Sequence, residues 1–490
     1  MQAGPVPAEA LLVGGYVCVL GALALWGVHR LEFLRRFLRA RPATPTQARD
    51  GDSLPFVTVQ LPLYDERTVA AASIDACAGL DWPRERFEVQ VLDDSTDETR
   101  AIVDARVEHW RARGVDVSVL RRARRDGYKA GALAAGLRAA RGELIAVFDA
   151  DFTPAPDFLR RTLGAFDDPR VGMVQARWEH RNRAESLLTR AQAVLLDGHF
   201  VIEHRVRRAL GVFFNFNGTA GVWRRQAIVD GGDWQGDTLT EDLDLSYRAQ
   251  LAGWRFEYAP DVDCAAELPP DLAAFRGQQR RWARGSVQVA RKLLPRLWRA
   301  PEPLRVKLEA TAHLLGNAGY PLVLAMALLL PPVVLLRAHT SAWLHASAFV
   351  LSSVSVIAFY DAGQRALGRS RRARLIEVPA AMALGIGLSL AQTRAVLGGL
   401  YGAAGEFVRT PKRGLADGAA RYRDARAPWP WGELLLCAWL VAGAVLAVAR
   451  GQYAGLPFLA LFALGFGWVA WLSLSEWCAR QPAGSSGRVR

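Results

Sequence analysis

The sequence has few cysteines, and they are scattered. Among 490 residues there are five, with no C-x-x-C pair and no histidine nearby at the spacing of a zinc site. A disulfide framework and a structural zinc site are therefore both disfavoured. Scattered thiols of this kind fit a protein whose cysteines face a reducing cytosol.

Two nucleotide-binding signatures are also missing. No G-x-G-x-x-G follows the first predicted strand, and the sequence contains no G-x-x-x-x-G-K-[ST]. A redox dinucleotide site and a P-loop are poorly supported without these glycine-rich loops. If the protein binds a phosphate group, the charge of that group has to be met in another way, such as by a metal ion held by acidic side chains.

Lysine is scarce, yet the chain is strongly basic. Only Lys129, Lys292, Lys307 and Lys412 are lysines, so the formal charge of +13 comes mostly from arginine. Many arginines lie beside apolar runs, in a chain that is 51% hydrophobic. In such positions they orient a membrane protein and contact anionic lipid. We therefore expect the bilayer, and not nucleic acid, to be the partner of this charge.

The first apolar run, residues 11–28, is long enough for one bilayer crossing. A basic cluster follows it between Arg30 and Arg41, whereas only Glu9 is charged before it. This bias places the N-terminus outside and the chain after Arg30 in the cytoplasm. A cleaved signal peptide is disfavoured because its basic residues would precede the apolar run. Residues 1–41 are thus predicted to be a transmembrane helix with a basic flank.

Residues 42–300 have the pattern of a soluble α/β domain. Strands are predicted at 56–62, 87–92, 115–120 and 144–148, and helices at 68–78, 97–113 and 129–140. Strands that alternate with helices of this length indicate a doubly wound, mainly parallel sheet.

Residues 301–490 form a predicted C-terminal membrane domain. Spans are predicted at 310–336, 342–360, 431–448 and 456–474, which with the first run makes five. The apolar segment 375–401 contains charged residues and proline and has basic loops on both sides. It is therefore predicted to lie at the cytoplasmic interface and not to cross the bilayer.

Two predicted strands end in acidic residues. The apolar strand 144–148 is followed by Asp149 and Asp151, and the second strand ends at Asp93 and Asp94. Ligands bind at the carboxyl edge of an open α/β sheet, so these acids are expected to share one crevice. Carboxylates there suit Mg²⁺ or Mn²⁺ bound together with a phosphate, although for a D-x-D taken alone a solvated turn at the strand end is the favoured interpretation.

Two glycine-containing segments could contact a ligand. Lys129 lies among small residues at a helix start, where an ammonium and backbone amides can hold a diphosphate. The loop 216–221 would let a ligand approach the backbone closely. An ordinary helix cap and a plain turn are the alternative interpretations of these two segments.

Two further motifs are ambiguous in the same way. Thr240, Glu241 and Asp242 open a predicted helix, either as a cap with first-turn acids or with one carboxylate as a general base. The segment 278–282 contains arginine beside Trp282. Its tryptophan could stack on a sugar while arginine pairs with phosphate, or the segment could be an interfacial membrane anchor.

In combination and order, these motifs resemble the processive family-2 inverting glycosyltransferases, which include cellulose, chitin and hyaluronan synthases. The counterparts of D-D, D-x-D, T-E-D and Q-x-x-R-W are Asp93-Asp94, Asp149/Asp151, Thr240-Glu241-Asp242 and Gln278/Arg281/Trp282. Longer shared strings across roughly residues 55–295, among them 127–133 and 174–178, are closer to the cellulose-synthase-like A and C proteins, which are glucomannan mannosyltransferases and β-1,4-glucan synthases.

The resemblance implies a GT-A nucleotide-sugar-binding domain with a transmembrane helical bundle, and inverting transfer from a nucleotide sugar. Asp149 and Asp151 would hold Mg²⁺ or Mn²⁺ against the donor diphosphate, and Asp242 would be the general base. The implied donor-binding residues are Tyr64, Glu66, Asp93, Asp94, Lys129 and Asp149. The implied acceptor-binding residues are Thr240, Glu241, Gln278, Arg281 and Trp282.

One likeness lies in the membrane half. Residues 404–415 resemble the F-x-V-T-x-K-G gating loop of cellulose synthases, with Phe407, Thr410 and Lys412 in matching positions and Arg409 where the pattern has valine. In that family the loop follows an interface helix, which agrees with the charge argument for 375–401.

We expect a protein that elongates a β-linked polysaccharide, namely a mannan, a glucomannan or a glucan, from GDP-mannose or UDP-glucose. The β-1,4 linkage is expected by analogy, and translocation of the polymer is a further expectation. It is expected in the plasma membrane with its catalytic domain in the cytoplasm. Two alternatives stay open: transfer of a single sugar to a membrane lipid, and a nucleotide-regulated carrier.

Overall fold

The computed structural model describes residues 7–40, 54–336, 342–402 and 429–479. The strands are β1 Val57–Leu63, β2 Phe87–Asp93, β3 Val117–Leu120, β4 Leu144–Val147, β5 Thr153–Pro154, β6 Val171–His180, β7 Gly221–Arg224 and β8 Arg255–Ala266. The helices up to residue 300 are α1 Pro7–Arg39, α2 Ala70–Ala78, α3 Thr99–Arg111, α4 Tyr128–Ala139, α5 Phe158–Leu163, α6 Leu187–Asp197, α7 Arg205–Leu210, α8 Arg225–Asp230, α9 Glu241–Leu251 and α10 Leu272–Arg299. The later helices are α11 Leu304–Leu314, α12 Gly319–Leu335, α13 Ala342–Ala366, α14 Arg371–Tyr401, α15 Trp431–Ala449 and α16 Leu456–Ala479.

The strands form one eight-stranded sheet in the order β3-β2-β1-β4-β7-β6-β8-β5. The first half, β3-β2-β1-β4, is parallel throughout, as the alternating pattern predicts. Beyond β4 the sheet is mixed: β7 is antiparallel to both β4 and β6, β6 is parallel to β8, and β5 is antiparallel to β8. The prediction of a mainly parallel sheet therefore describes the half that ends at β4.

Strand β4 lies at the centre and is buried on both faces. Leu144 and Ala146 belong to the hydrophobic cluster on one side of the sheet, whereas Ile145 and Val147 belong to the cluster on the other side. Side chains alternate between faces along a strand, so a run of apolar residues is what a strand covered on both sides requires. This burial fixes the position at which the chain leaves the strand, directly before Asp149.

Among the described residues, five helical segments are long and apolar enough to cross a membrane: Ala8–Arg39, Gly316–Leu335, Arg371–Tyr401, Trp431–Ala449 and Leu456–Ala479. The sequence-based set had 342–360 in place of 371–401. The interface position of 375–401 stays a prediction, since the length and composition of Arg371–Tyr401 also suit a crossing.

The apolar segment predicted to begin at residue 310 is divided in the structure. Helix α11 ends at Leu314, and the candidate span begins at Gly316. The division follows from side-chain contacts, because Glu309 accepts a hydrogen bond from Arg207 at 3.0 Å and His313 contacts the Tyr247 hydroxyl at 2.8 Å. Helix α11 thus packs on the α/β domain.

Candidate active site

A pocket opens beside the carboxyl ends of β1, β2 and β4. The predicted residues that line it are Tyr64, Glu66, Asp94, Lys129, Asp149, Asp151, Thr240, Glu241, Asp242, Gln278, Arg281 and Trp282. Parallel strands present their carboxyl ends at one edge, which is why residues so far apart in sequence meet here. Predicted residue Asp93 does not line this pocket. The gating-like residues Phe407, Thr410 and Lys412 lie outside the described ranges.

Lys129 and Asp149 form an ion pair within the pocket. The Lys129 ammonium donates to Asp149 Oδ1 at 2.5 Å and to the carbonyl of Gly218 at 2.8 Å, and lies 3.9 Å from Glu241. Burial, the largest influence, disfavours the charged ammonium, but Asp149 and Glu241 more than offset it and raise the pKa of Lys129. The lysine is therefore a fixed positive charge inside the pocket.

Asp151 lies two residues beyond Asp149 and is buried. Its backbone carbonyl accepts a hydrogen bond from Arg181 at 2.8 Å, which holds the segment after β4. In the described part of the chain, no group of three or more acidic, histidine or cysteine side chains could bind a metal by itself. Two carboxylates fit a hard divalent cation whose remaining ligands are phosphate oxygens and water. The residues present thus fit a cation that is bound together with its substrate.

Asp93 and Asp94 have different environments because consecutive side chains at a strand end point to opposite sides. Asp93 is fully buried and accepts hydrogen bonds from Arg121 Nε at 2.8 Å and from the backbone N–H of Ser95 at 3.0 Å. Asp94 faces the pocket and is held by both arms of Arg122, with Nε at 3.0 Å. The structure thus brings Asp94 to the pocket and leaves Asp93 to order the turn behind it.

Tyr64 lies at the same end of the pocket and is covered by an arginine. The Arg125 guanidinium carbon is 3.4 Å from the centre of the Tyr64 ring, within stacking distance. Burial lowers the pKa of Arg125. This end of the pocket is planar and aromatic, with the Asp94 carboxylate nearby, which suits a nucleobase.

Glu241 and Asp242 open α9 on the opposite wall. Burial, and after it the charge of the neighbouring Glu241, raise the pKa of Asp242 to about 7 against the opposing effect of Lys129. Burial also raises the pKa of Glu241, and Lys129 partly offsets this effect. A carboxylate whose pKa lies near neutrality can accept a proton and still be ionised in an appreciable fraction of molecules.

Thr240 does not cap α9. Its side chain makes no capping hydrogen bond, and its buried hydroxyl oxygen has no hydrogen-bond partner. The side chain instead packs against α10, where a Cβ added at Gly285 would lie 2.5 Å from Thr240 Cγ2. The close contact between these two elements sets the distance from Asp242 to the residues of α10.

Gln278, Arg281 and Trp282 reach the pocket from successive turns of α10. Burial lowers the pKa of Arg281 to about 10, an effect that Glu241 and Asp149 partly offset. The ring of Trp282 lies 6.4 Å from Trp178, which packs on Phe152 at 5.1 Å. This wall of the pocket is therefore a pair of indole rings beside a guanidinium group.

The residues that sequence reasoning missed are mainly Arg121, Arg122 and Arg125. They lie in one basic segment, residues 121–125, directly after β3. The signal was present, because a basic run that follows a strand of the same sheet ends at the same edge as the acidic pairs. Trp178 was likewise missed, although it lies in residues 174–178, one of the segments that resemble the cellulose-synthase-like proteins.

Sequence comparison identifies related proteins. The sequence model of a family described as Glycosyltransferase like family 2 matches residues 55–285. Glucomannan 4-beta-mannosyltransferase 2 of Arabidopsis thaliana is 37% identical over 387 residues, which are 75% of this chain and 70% of that protein. Glucomannan 4-beta-mannosyltransferase 1 of Oryza sativa subsp. japonica is 46% identical over 247 residues, which are 49% of this chain and 47% of that protein.

Structure comparison agrees on the fold. The mannosyltransferase PcManGT from Pyrobaculum calidifontis, solved in complex with GDP-Man and Mn²⁺, superposes with a TM-score of 0.54 and 22% sequence identity. The match covers 79% of this chain and 99% of that one. At this level of identity the likeness concerns the fold.

Proposed function

This chain belongs to glycosyltransferase family 2, and from that membership we propose that it is a membrane-embedded β-mannan synthase. It is a glycosyltransferase. We infer that its donor is GDP-mannose and that its product is a β-1,4-linked mannan or glucomannan, the activity for which its relatives are named. The observation that carries the proposal is the convergence of the Lys129–Asp149 pair, Asp151, Asp242 and Trp282 in one pocket.

The nucleotide end of the donor fits the wall formed by Tyr64, Arg125 and Asp94. The aromatic ring and guanidinium offer flat surfaces to a base, while the Asp94 carboxylate is fixed by Arg122. Lys129 also lines the pocket, and we propose that it pairs with a phosphate of the donor. In the proposed arrangement the sugar of the donor lies next to α9.

Asp149 and Asp151 are the residues that would hold a divalent cation. When bound, such an ion neutralises charge that develops on the departing diphosphate. Lys129 contributes a second positive charge at the same place, and its contact with the Gly218 carbonyl keeps it there.

Asp242 is the proposed general base. The acceptor hydroxyl oxygen forms a bond to the anomeric carbon while the bond from that carbon to the diphosphate oxygen breaks. The hydroxyl proton passes to Asp242, and the nucleoside diphosphate leaves. Attack from the side opposite the leaving group inverts the centre, so an α-linked donor gives a β-linked product.

Trp282 is the proposed floor for the acceptor sugar, because an indole ring can cover the apolar CH face of a pyranose. Gln278 and Arg281 would hold the end of the acceptor, with Arg281 also within reach of the diphosphate. Helix α10 packs directly on α14 and α16, both candidate membrane spans, so the acceptor leaves the pocket beside the membrane helices.

The direct test is to offer radiolabelled GDP-mannose, GDP-glucose, UDP-glucose and UDP-N-acetylglucosamine in turn to membranes that carry the protein. We expect label from GDP-mannose in a polymer that endo-β-1,4-mannanase degrades and endo-β-1,4-glucanase does not. Membranes that carry Asp242→Asn protein are the matched control and should give no labelled polymer.

Other products would contradict parts of the proposal. A single labelled sugar on an extractable lipid would replace polymer synthesis by transfer to a lipid acceptor. Polymer labelled from UDP-glucose alone would change the donor assignment, and binding of nucleotide without sugar transfer would favour a nucleotide-regulated carrier.

A further inference from the structure

A cluster of polar side chains, of which His204 and Arg207 are buried, adjoins the pocket at Asn217, and the proposed chemistry does not use it. At its centre is a π-helical turn, Gly198–His204, between α6 and α7. In an α-helix, side chains five positions apart point about 140° away from each other, since there are 3.6 residues per turn. The wider π turn instead brings the rings of His199 and His204 together, with centroids 4.2 Å apart.

The two histidines form hydrogen bonds with the two ends of the Asn217 side-chain amide. Asn217 Oδ1 accepts a hydrogen bond from His204 Nε2 at 2.6 Å, and Asn217 Nδ2 donates to His199 Nε2 at 3.0 Å. His199 must then carry its proton on Nδ1, from which it donates to Glu203 at 3.0 Å. These contacts place a proton on Nδ1 of His199 and on Nε2 of His204. Burial lowers the pKa of His204 well below its ordinary value, which keeps this ring neutral.

The residue after Asn217 touches both charged groups of the catalytic centre. The Gly218 carbonyl accepts the hydrogen bond from Lys129 at 2.8 Å. A Cβ added at Gly218 would lie 3.0 Å from Asp242 Oδ2, so the backbone of Gly218 is packed against the proposed base. A displacement of the Asn217–Gly218 peptide by less than an ångström would therefore move Lys129 or crowd Asp242.

A network of charged side chains supports the two histidines through Glu203. Arg207 donates to Glu203 at 2.9 Å and to Glu309 at 3.0 Å, and His29 lies 2.7 Å from Glu309. These side chains come from the π turn, α7, α11 and the candidate membrane helix α1. Several separate elements thus converge on the amide of Asn217, as expected of a second layer that orients a catalytic centre.

We propose that His199, His204 and Asn217 are positioning residues for glycosyl transfer. They hold the Gly218 backbone where Lys129 and Asp242 need it. The inference rests on the glycosyltransferase activity of the chain and not on which sugar is transferred. A cluster that only stabilised the fold would leave the turnover of each folded molecule unchanged, and the two cases can be separated.

The test uses the full-length protein purified in detergent, with the donor that the wild-type protein accepts. His204→Leu removes the donor to Asn217, whereas His204→Gln retains an N–H group that can replace it. A misplaced catalytic group costs on the order of tenfold to a hundredfold in rate, and we expect a loss of kcat in that range for His204→Leu. The KM for the donor should change little, and His204→Gln should recover most of the activity.

Tyr247→Phe is the matched control for burial. It removes the 2.8 Å contact between the Tyr247 hydroxyl and His313 in the same buried region without touching Asn217. It should lower the unfolding temperature and keep kcat per folded molecule. If His204→Leu does not fold, the pair His199→Leu and His199→Gln gives the same comparison, since the His199 side chain is 22% exposed.

A double-mutant cycle separates positioning from independent effects. Once Asn217→Ala has removed the amide, His204→Leu should cause no further loss of kcat. Losses that multiply, equal losses in the leucine and glutamine variants, or equal loss of kcat in Tyr247→Phe would each overturn the proposal. A wild-type protein that transfers no sugar would instead contradict the proposed function, so the two failures are distinguishable.

Discussion

The two sides of the pocket are built differently. On the donor side, strand ends supply carboxylates that are paired with nearby cations: Asp94 with Arg122 and Asp149 with Lys129. Asp93, behind them, is paired with Arg121. These three ion pairs are all made between side chains of the α/β domain, without a side chain from the membrane half.

The acceptor side is attached to the membrane helices. The Glu476 carboxylate of α16 accepts a hydrogen bond from the backbone N–H of Leu272 at 2.5 Å, at the start of α10. Arg276 donates to Glu433 of α15 at 3.1 Å and to Ser473 of α16 at 3.3 Å. The helix that carries Trp282 thus depends on the membrane half for its placement.

The difference suggests that donor binding and acceptor binding can be changed separately. Substitutions on the acceptor side, or in the contacts between α10 and the membrane helices, should leave the affinity for the donor unchanged. The predictions below test this separation, beginning at the boundary between the two sides.

Asp242→Asn tests the residue that lies at the boundary between the donor side and the acceptor side of the pocket. Removal of a general base costs about 10²–10⁴-fold in rate, and we expect a loss of transfer in this range. Donor affinity should persist because the phosphate-binding groups, Lys129 and Asp149, are unchanged. Isothermal titration with the donor, alongside a transfer assay, measures both quantities. Donor binding that disappears together with activity would show that Asp242 belongs to the donor side.

Trp282→Ala tests the acceptor side alone. Loss of the indole platform should raise the KM for an oligosaccharide acceptor about tenfold, while slow hydrolysis of the donor continues. Trp298→Ala is the control, since this tryptophan lies near the end of the same helix and is not in the pocket. Unchanged polymer output from Trp282→Ala would contradict the role assigned to the ring.

The difference between the two sides of the pocket also explains which features could be predicted from the sequence. The end of β4 and its acids could be identified because the apolar run and the carboxylates are adjacent in the chain. Strand alternation also implies that Asp93 and Asp94 face opposite ways, but it does not say which of them faces the pocket. That choice depends on Arg121 and Arg122, which follow another strand.

The rest depends on contacts between distant segments. Nothing in the local sequence around Thr240 shows that its side chain packs on Gly285 and does not cap α9. The π turn that joins His199 to His204 shifts the phase of the helical pattern by only about one residue, and the flanking helices α6 and α7 are too short for such a shift to be recognised in the sequence. Tertiary packing decides both features, and a single sequence does not contain that information in readable form.

Gly285→Ala tests how closely the acceptor helix must approach α9. The new Cβ would lie 2.5 Å from Thr240 Cγ2, so α10 or the start of α9 must shift. Overpacking of this kind costs about 1–3 kcal/mol. Where the shift separates Asp242 from Trp282, we expect kcat to fall several-fold while donor affinity is kept.

Gly277→Ala is the matched control for that substitution. It lies in the same helix and has no atom within 4 Å of its added Cβ. Alanine there should be neutral or slightly stabilising, since it is the better helix former. If the two variants had equal kcat, the close contact at Gly285 would have no bearing on the catalytic geometry.

The smallest effect concerns stability and pH. The pKa of Asp242 is raised to about 7 in the folded protein, chiefly by burial and then by Glu241. In the unfolded chain this carboxyl ionises near its ordinary value of about 4. Between these two pH values the folded state keeps a proton that the unfolded state has lost, so the contribution of Asp242 to stability decreases as the pH rises through this window.

Asn at position 242 does not titrate, and Asp242→Asn should therefore be more stable than wild type at pH 8 and hardly different at pH 4.5. The expected difference is on the order of a few kcal/mol at most, or several degrees in unfolding temperature. Thermal unfolding in detergent, without donor or divalent cation, measures it at both pH values. The donor-side variant Asp94→Asn should behave in the opposite way and lose stability at pH 8, because it removes a carboxylate that is held by both arms of Arg122. If both substitutions shifted stability in the same direction, the contrast between an arginine-paired carboxylate on the donor side and a carboxyl group destabilised by burial at the boundary would not hold.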